Sequence, residues 1–240
     1  VGRIKDWKFD IKYATHLIKE SFPLMLTSTA VLIYQKIDQV MIGQILNNEA
    51  VGYFAVASRF VEVLIYVPMV IAQTTMPILV KYREESQDLY IEKSQKFMNI
   101  SFWSTMTFSI LTALFSWWII YLTFGKNYLP AVIILQVMSF KAASVALSNT
   151  AGTMLIIEGL QKYAIIRDLI GCLVCVSLNY IMLPKIGILA TAFIAILSNL
   201  AAGYIADAII PAYRHIFIQQ TKTIITGWKD IIAIKSLIIK

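Results

Sequence analysis

The sequence predicts an all-α membrane protein, a polytopic bundle of transmembrane helices. Of the 240 residues, 58% are hydrophobic and only 15% are charged, whereas soluble domains are about 45–50% apolar. The charges are also unevenly distributed, because long apolar segments carry almost none and the short segments between them carry nearly all. This pattern indicates a chain whose solvent alternates between lipid and water.

Six apolar segments are each long enough to cross the hydrocarbon core, which takes about 20 helical residues. They do not alternate apolar with polar residues, which disfavours the strands of a membrane barrel. The predicted spans are Phe22 to Leu46, Val51 to Val80, Asn99 to Phe124, Ala131 to Ile157, Tyr163 to Leu183 and Gly187 to Ile210. Residues 22–210 therefore form the predicted membrane domain.

Charged amphipathic segments flank this domain. Residues 1–21 place Ile4, Trp7 and Ile11 at helical spacing among lysines, which predicts a cytoplasmic interfacial helix. A solvated helix of a soluble linker is the alternative. Residues 211–240 are predicted as a cytoplasmic tail with a second interfacial helix, because its central Lys-Asp pair disfavours a seventh span.

The basic residues predict the orientation of the bundle. The connections assigned to one side and the two flanks contain 16 Lys and Arg residues, including the predicted charged loop Lys81 to Met98, and the opposite connections contain 2. The positive-inside rule then places both termini in the cytoplasm. The formal net charge of +7 fits contact with anionic membrane lipids, and no continuous basic stripe indicates nucleic acid.

Cysteine and histidine do not indicate a metal site, a cofactor or a catalytic centre. Cys172 and Cys175 lie inside an apolar run without a second pair, so we interpret them as small helix residues. His16 and His215 both lie outside the predicted spans. Together with the lack of phosphate-cradling glycine loops, these observations favour a protein that is not an enzyme.

Five ionisable residues interrupt the spans, and Asp207 is a possible sixth. Each costs about 2.5–3.5 kcal/mol at a helix centre, so each is a candidate functional residue. Three are cations and two are anions. The five are Lys36, Asp38, Arg59, Glu62 and Lys141.

The first two predicted spans form a hairpin in which Asp38 and Arg59 are equally far from the turn. Residues at equal distance lie at similar depth, so we predict that Asp38 meets Arg59, with Glu62 on the same helix face as Arg59. Lys36 points elsewhere, because it lies about 200° around the helix from Asp38. A structural ion pair that only fixes the hairpin is the alternative.

Lys141 is the other intramembrane cation, in the middle of the fourth span and without an obvious partner. If Arg59, Lys36 and Lys141 converge on a cavity, they form a cationic site suited to an anionic group such as a pyrophosphate. Strips of small residues predict close helix packing. They are Ser144, Ser148 and Gly152 in one strip and Gly187, Thr191 and Ala195 in the other.

Several runs together resemble the Wzx-type polysaccharide flippases of the multidrug/oligosaccharidyl-lipid/polysaccharide exporter superfamily. They are PLML at Pro23 to Leu26, YQKIDQVMIG at Tyr34 to Gly43, VGYFAVASRFVE at Val51 to Glu62, Pro68, and NYIMLP at Asn179 to Pro184 followed by Gly187.

The resemblance implies the C-terminal half of a protein of twelve to fourteen helices, acting in the bacterial inner membrane with its N-terminal half. It implies movement of an undecaprenyl-pyrophosphate-linked oligosaccharide by alternating access, coupled to a cation gradient, alongside polysaccharide assembly proteins. Arg59, Lys141 and Lys36 would then contact this substrate, and Asp38 and Glu62 would support them or couple the cation. A drug or ion exporter of the superfamily and a membrane enzyme of polysaccharide assembly are the alternatives.

Overall fold

The computed structural model describes residues 11, 15, 36–160 and 164–230. The chain divides into two compact units, Val1–Ile37 and Asp38–Lys240. Apart from Ile11 and Thr15, the predicted interfacial helix 1–21 lies outside the described residues, as do most of the first predicted span and the end of the tail. The bundle below is therefore that of the larger unit.

Within the described residues the chain is helical almost throughout and contains no strand. Single 3-10 turns occur at Lys126–Tyr128 and Pro211–Tyr213, and a π-helical turn at Ala201–Ile205. The α-helices are α1 (residues 36–45), α2 (Asn48–Glu85), α3 (Gln87–Phe124), α4 (Ala131–Met138), α5 (Lys141–Ile157), α6 (Ala164–Ile186), α7 (Ile188–Leu200), α8 (Ala206–Ile209) and α9 (Arg214–Thr226).

Five spans in the described part of the chain are long and apolar enough to cross a membrane. They are α2, α3, α4 with α5, α6, and α7 with α8, and they match the last five of the six predicted spans. Of the first predicted span only residues 36–46 are described. The prediction of an all-α polytopic membrane bundle is confirmed.

The helices α2 and α3 form a long hairpin without a loop. The Asn47 side chain caps α2 by accepting a hydrogen bond from the backbone N–H of Ala50 at 2.8 Å. Only Ser86, in an extended conformation, separates the end of α2 from the start of α3. The prediction of a charged loop from Lys81 to Met98 was wrong, because all of these residues except Ser86 belong to α2 or α3.

Two ends of the bundle can be defined from this hairpin. The basic end is where Ser86 joins α2 to α3 and where α5 ends at Ile157. The opposite end carries the turns at Asn47, Gly125 and Gly187. Gly125 and Gly187 have φ of 79° and 78°, a conformation that favours glycine and that stops one helix before the next begins.

Two spans are interrupted where the sequence predicts continuous helices. The fourth span breaks at Ser139 and Phe140, so that Lys141 begins α5. In the last span, the π-helical turn Ala201–Ile205 separates α7 from α8. Such interruptions change the direction of backbone groups and are frequent at functional sites in membrane proteins.

Small residues allow the helices to approach closely, as the predicted strips require. A Cβ atom added to Gly203 would lie 2.4 Å from Ser148 Cβ and 2.9 Å from Ser148 Cα. Thr191 and Ala195 of the second strip are also buried. Gly152 makes no such approach, since nothing lies within 4 Å of its added Cβ.

The contact between Gly203 and Ser148 predicts that Gly203→Ala destabilises the bundle. An added methyl must displace the α5 backbone, which costs about 1–3 kcal/mol for overpacking. The midpoint of thermal unfolding in detergent measures this loss. Gly152→Ala is the matched control, because it adds the same methyl to open space on α5. Equal midpoints for the two variants would contradict this packing.

Candidate functional site

Asp38 is a buried carboxylate, 7% exposed, on α1. It accepts hydrogen bonds from Cys175 Sγ at 2.9 Å and from Asn179 Nδ2 at 3.0 Å, both on α6. Thr191 of α7 donates to Asn179 Oδ1 at 2.8 Å. Within the described chain no basic side chain lies within 4 Å of Asp38, so neutral donors alone hold this carboxylate.

The local sequence explains why these groups meet. Cys175 and Asn179 are four residues apart and therefore share one face of α6. The turn at Gly187 sends α7 back along α6, which brings Thr191 opposite Asn179. The Asp38 cluster, defined as Asp38, Cys175, Asn179 and Thr191, thus joins three helices by hydrogen bonds inside the membrane domain.

The predicted contact between Asp38 and Arg59 is not formed. Arg59 instead pairs with Glu62 one turn along α2, with Arg59 Nη1 3.7 Å from Glu62 Oε2. This agrees with the prediction that Arg59 and Glu62 share a face. The hairpin argument determines depth but not direction around the helix axis, and Asp38 turns toward α6 instead of toward Arg59.

Arg59 lies on an exposed face of a membrane span. Its side chain is 78% exposed, and Val63, Tyr66 and Val70 continue the same face with exposures between 54% and 63%. Arg59 is about 16 Å along α2 from its first residue. A guanidinium at that depth is costly in lipid, so this face requires water or another polypeptide beside it.

Lys141 is half-buried at the start of α5, directly after the break at Ser139 and Phe140. Lys36 is exposed and belongs to the smaller unit, Val1–Ile37. The convergence of Lys36, Arg59 and Lys141 on one cavity stays a prediction.

A second buried charge pair joins Arg167 of α6 to Asp207 of α8. Arg167 Nε lies 3.1 Å from Asp207 Oδ1, with side-chain exposures of 7% and 0%. Arg167 also donates to the carbonyl of Ala202 at 3.1 Å and to Ser148 Oγ at 3.3 Å. Gln220 of α9 donates to Asp207 Oδ2 at 3.2 Å. The pair therefore ties four helices together beside the π-helical turn.

Sequence reasoning missed this pair because it counted Arg167 among the basic residues beside the span, although the predicted span Tyr163 to Leu183 contains it. Helix α6 already begins at Ala164, so Arg167 lies one turn inside its span. Asp207 lies at a similar distance from the end of the last span. Comparing the depths of Arg167 and Asp207 in their spans would have predicted that the two residues can pair.

Four side chains hold the C-terminal end of α5 at the basic end. Tyr90 Oη donates to Glu158 Oε1 at 3.0 Å, and His215 Nε2 lies 2.7 Å from Glu158 Oε2. The hydrogen bond to Glu158 is the main cause that raises the pKa of His215 above its usual value. The other two side chains are Arg83, which donates to the carbonyl of Ile157, and Tyr213, which donates to the carbonyl of Leu160.

A cavity of about 550 Å³ opens beside this cluster, lined by Arg83, Tyr90, Glu158 and His215 among others. Its walls mix charged and apolar side chains. Residues 36–160 and 164–230 contain no group of three or more His, Cys, Asp or Glu side chains that could hold a metal ion.

The fold and its buried polar clusters define a polytopic helical membrane protein. A family profile described as polysaccharide biosynthesis protein matches residues 3–133, which is more than half of the chain. The chain belongs to this family of polysaccharide biosynthesis proteins. Neither the curated proteins nor the solved structures contain a match to it.

The Asp38 cluster predicts that Asn179→Ala destabilises the protein by about 1.5–3 kcal/mol, because a buried carboxylate loses its amide donor and Thr191 loses its acceptor. The free energy of unfolding, measured by sodium dodecyl sulfate titration in mixed micelles, tests this. Asn199→Ala is the control, since in the described part of the chain the Asn199 amide donates to a carbonyl of its own helix. A control that loses as much stability would argue against the cluster.

The contact between His215 and Glu158 predicts a pH-dependent stability. Because the pKa of His215 is raised in the fold, the stabilisation is fully present below about pH 6.5, the ordinary histidine value. It is lost as the pH rises through the folded-state pKa. We expect His215→Gln to lower stability by about 0.2–1 kcal/mol at pH 6, the range for partly exposed pairs, and hardly at all at pH 9.

Unfolding midpoints of wild type and His215→Gln across this pH range give the measurement. His16→Gln replaces the other histidine of the chain and is the control. A difference between wild type and His215→Gln that stays constant with pH would show that the ionised pair contributes nothing.

Proposed function

We propose that this protein is part of a flippase that moves an undecaprenyl-pyrophosphate-linked oligosaccharide, an O-antigen or capsule repeat unit, across the bacterial inner membrane. Membership in the polysaccharide biosynthesis family supports the pathway, and the five described spans support a membrane location. Transport, and not covalent catalysis, is the proposed activity. The excess of basic residues at the basic end supports a cytoplasmic location for that end.

The exposed face of α2 is the observation that carries the proposal. Arg59 stands about 16 Å along α2 with its side chain 78% exposed, and Tyr66 and Gln73 continue this face toward the basic end. A water-filled cavity shared with another helical bundle would solvate these groups. We infer that this second bundle is the N-terminal half of the same protein and that the chain described here supplies the C-terminal half.

In this arrangement Arg59 contacts the pyrophosphate of the substrate, since a guanidinium offers paired donors in the geometry that phosphate oxygens accept. Lys141 supplies further positive charge to the same substrate. Glu62 orients Arg59 from one turn away, at 3.7 Å. Polysaccharide assembly proteins would supply and accept the lipid-linked oligosaccharide.

The Asp38 cluster is the proposed site of cation coupling. Its carboxylate is buried and held by neutral donors, so binding a cation or proton there changes the charge of the cluster. Hydrogen bonds through Asn179 and Thr191 connect this change to α6 and α7. A shift in how these helices pack could then alternate access to the cavity.

Complementation tests the proposal. The complete reading frame that contains this chain is expressed in its own bacterium after deletion of the gene, and surface polysaccharide is assayed. We expect the wild-type gene to restore polysaccharide. Arg59→Gln should lower the transport rate on the order of tenfold, because a charge-assisted contact to the substrate is lost, and Arg59→Lys should lower it less.

The control is Lys126→Gln, which removes a cation from the turn after α3. No rescue by wild type, with the protein verified in the membrane, would show that the flippase proposal is wrong. Rescue by wild type with full activity of Arg59→Gln would remove Arg59 from the substrate site and leave the flippase proposal standing.

A further inference from the structure

Helix α9 has an unusual distribution of side chains, because its polar face is the buried one. Gln219, Gln220 and Thr223 are each at most 9% exposed. Gln95 of α3 donates to the carbonyl of Gln219 at 3.1 Å and to Thr223 Oγ1 at 2.8 Å. Trp103 of α3 donates to the carbonyl of Thr223 at 2.9 Å. These hydrogen bonds, together with the buried side chain of Ile216, attach α9 to the bundle.

The outward face of α9 is apolar and basic. Ile218 is 63% exposed, Ile225 is 65% exposed, and Lys222 lies between them on the same face. The stripe has helical spacing and alternates charge with apolar area. Its members are Arg214, Ile218, Lys222, Ile225 and Lys229, with the half-exposed Trp228 beside them.

The lysines of this stripe are free to meet an anion. Neither Lys222 nor Lys229 has an acidic partner within 4 Å in the described part of the chain, and the Lys229 ammonium lies 5.9 Å from the Trp228 ring centroid. Both line a groove of about 480 Å³ between α3 and α9. Three carboxylates also line this groove. Asp230 accepts a hydrogen bond from Asn99 and Glu92 accepts one from Lys96, and the third carboxylate is that of Asp88.

Position identifies the occupant. Only Ile210 and the turn Pro211–Tyr213 separate α9 from the end of the last membrane span, and α9 packs on the part of α3 between Ser94 and Trp103, next to the hydrocarbon region. Large exposed apolar side chains alternating with cations are typical of a helix surface at the lipid interface. An anionic phospholipid offers both an acyl chain and a phosphate.

We propose that the outward face of α9 is a binding surface for anionic phospholipids of the leaflet at the basic end. Lys222 and Lys229 bind the phosphates, and Ile218, Ile225 and Trp228 contact the acyl chains. The inference does not depend on the flippase proposal, because it concerns the lipid around the protein and not the substrate. It adds to the prediction of an interfacial tail the residues that contact the lipid and the lipid charge that they prefer.

Native mass spectrometry of the purified full chain in detergent tests the surface, with titration of phosphatidylglycerol and, separately, of phosphatidylcholine. We expect preferential binding of phosphatidylglycerol. The double variant Lys222→Gln, Lys229→Gln should weaken this binding about 30-fold, from the contribution of each lysine near an anionic surface. The control is Lys126→Gln, Lys185→Gln, which loses the same charge from exposed positions at the opposite end.

Equal loss in the two double variants, or equal binding of both lipids by wild type, would overturn the proposal. Thermal unfolding confirms that each variant is folded before lipid is added. A photo-crosslinking residue at Ile225 gives an independent readout in cells. Crosslinks to lipid support the surface, whereas a crosslink to another polypeptide would show that α9 faces a protein.

Discussion

A polar side chain in the hydrocarbon core must find its partner within the protein or in a water-filled space, and this constraint organises the bundle. Asp38 is held by an amide and a thiol, and Arg167 by a carboxylate, a hydroxyl and a carbonyl. Each of these contacts crosses from one helix to another. The polar residues therefore determine which faces of the apolar helices pack together. Apolar contacts cannot determine this alone, because lipid tails are as apolar as the helix surfaces.

The spans were predictable because hydropathy and length are properties of single segments. Pairing was only partly predictable. The distance of Asp38 and Arg59 from the turn determines their depth, but the direction in which each points depends on α6, which is far away in sequence. Arg59 and Glu62, by contrast, share a helix, and their proximity followed from spacing alone.

The interruptions of the helices and the attachment of α9 could not be predicted for a similar reason. No glycine or proline marks the break at Ser139 and Phe140. The π-helical turn lies where Gly203 approaches Ser148 and where Arg167 bonds to Ala202, and both contacts join residues far apart in the sequence. The buried glutamines of α9 resemble the solvated face of an amphipathic helix until the partners on α3 and α8 are known. The Cys-x-x-Cys pattern likewise concealed the donor to Asp38, because Cys175 reaches Asp38 through its position on α6.

The junction at Ser86 gives the hairpin of α2 and α3 a mechanical property. The residues of α3 before Asn99 extend it as a helix for about 18 Å past the apolar segment, and a single residue connects this extension to α2. Tyr90 and Gln95 of this extension bond to Glu158 and to α9, so a rocking of the two spans would carry the end of α5 and α9 with it. A spectroscopic label at the tip would therefore register, from the aqueous side, angular changes that take place within the membrane.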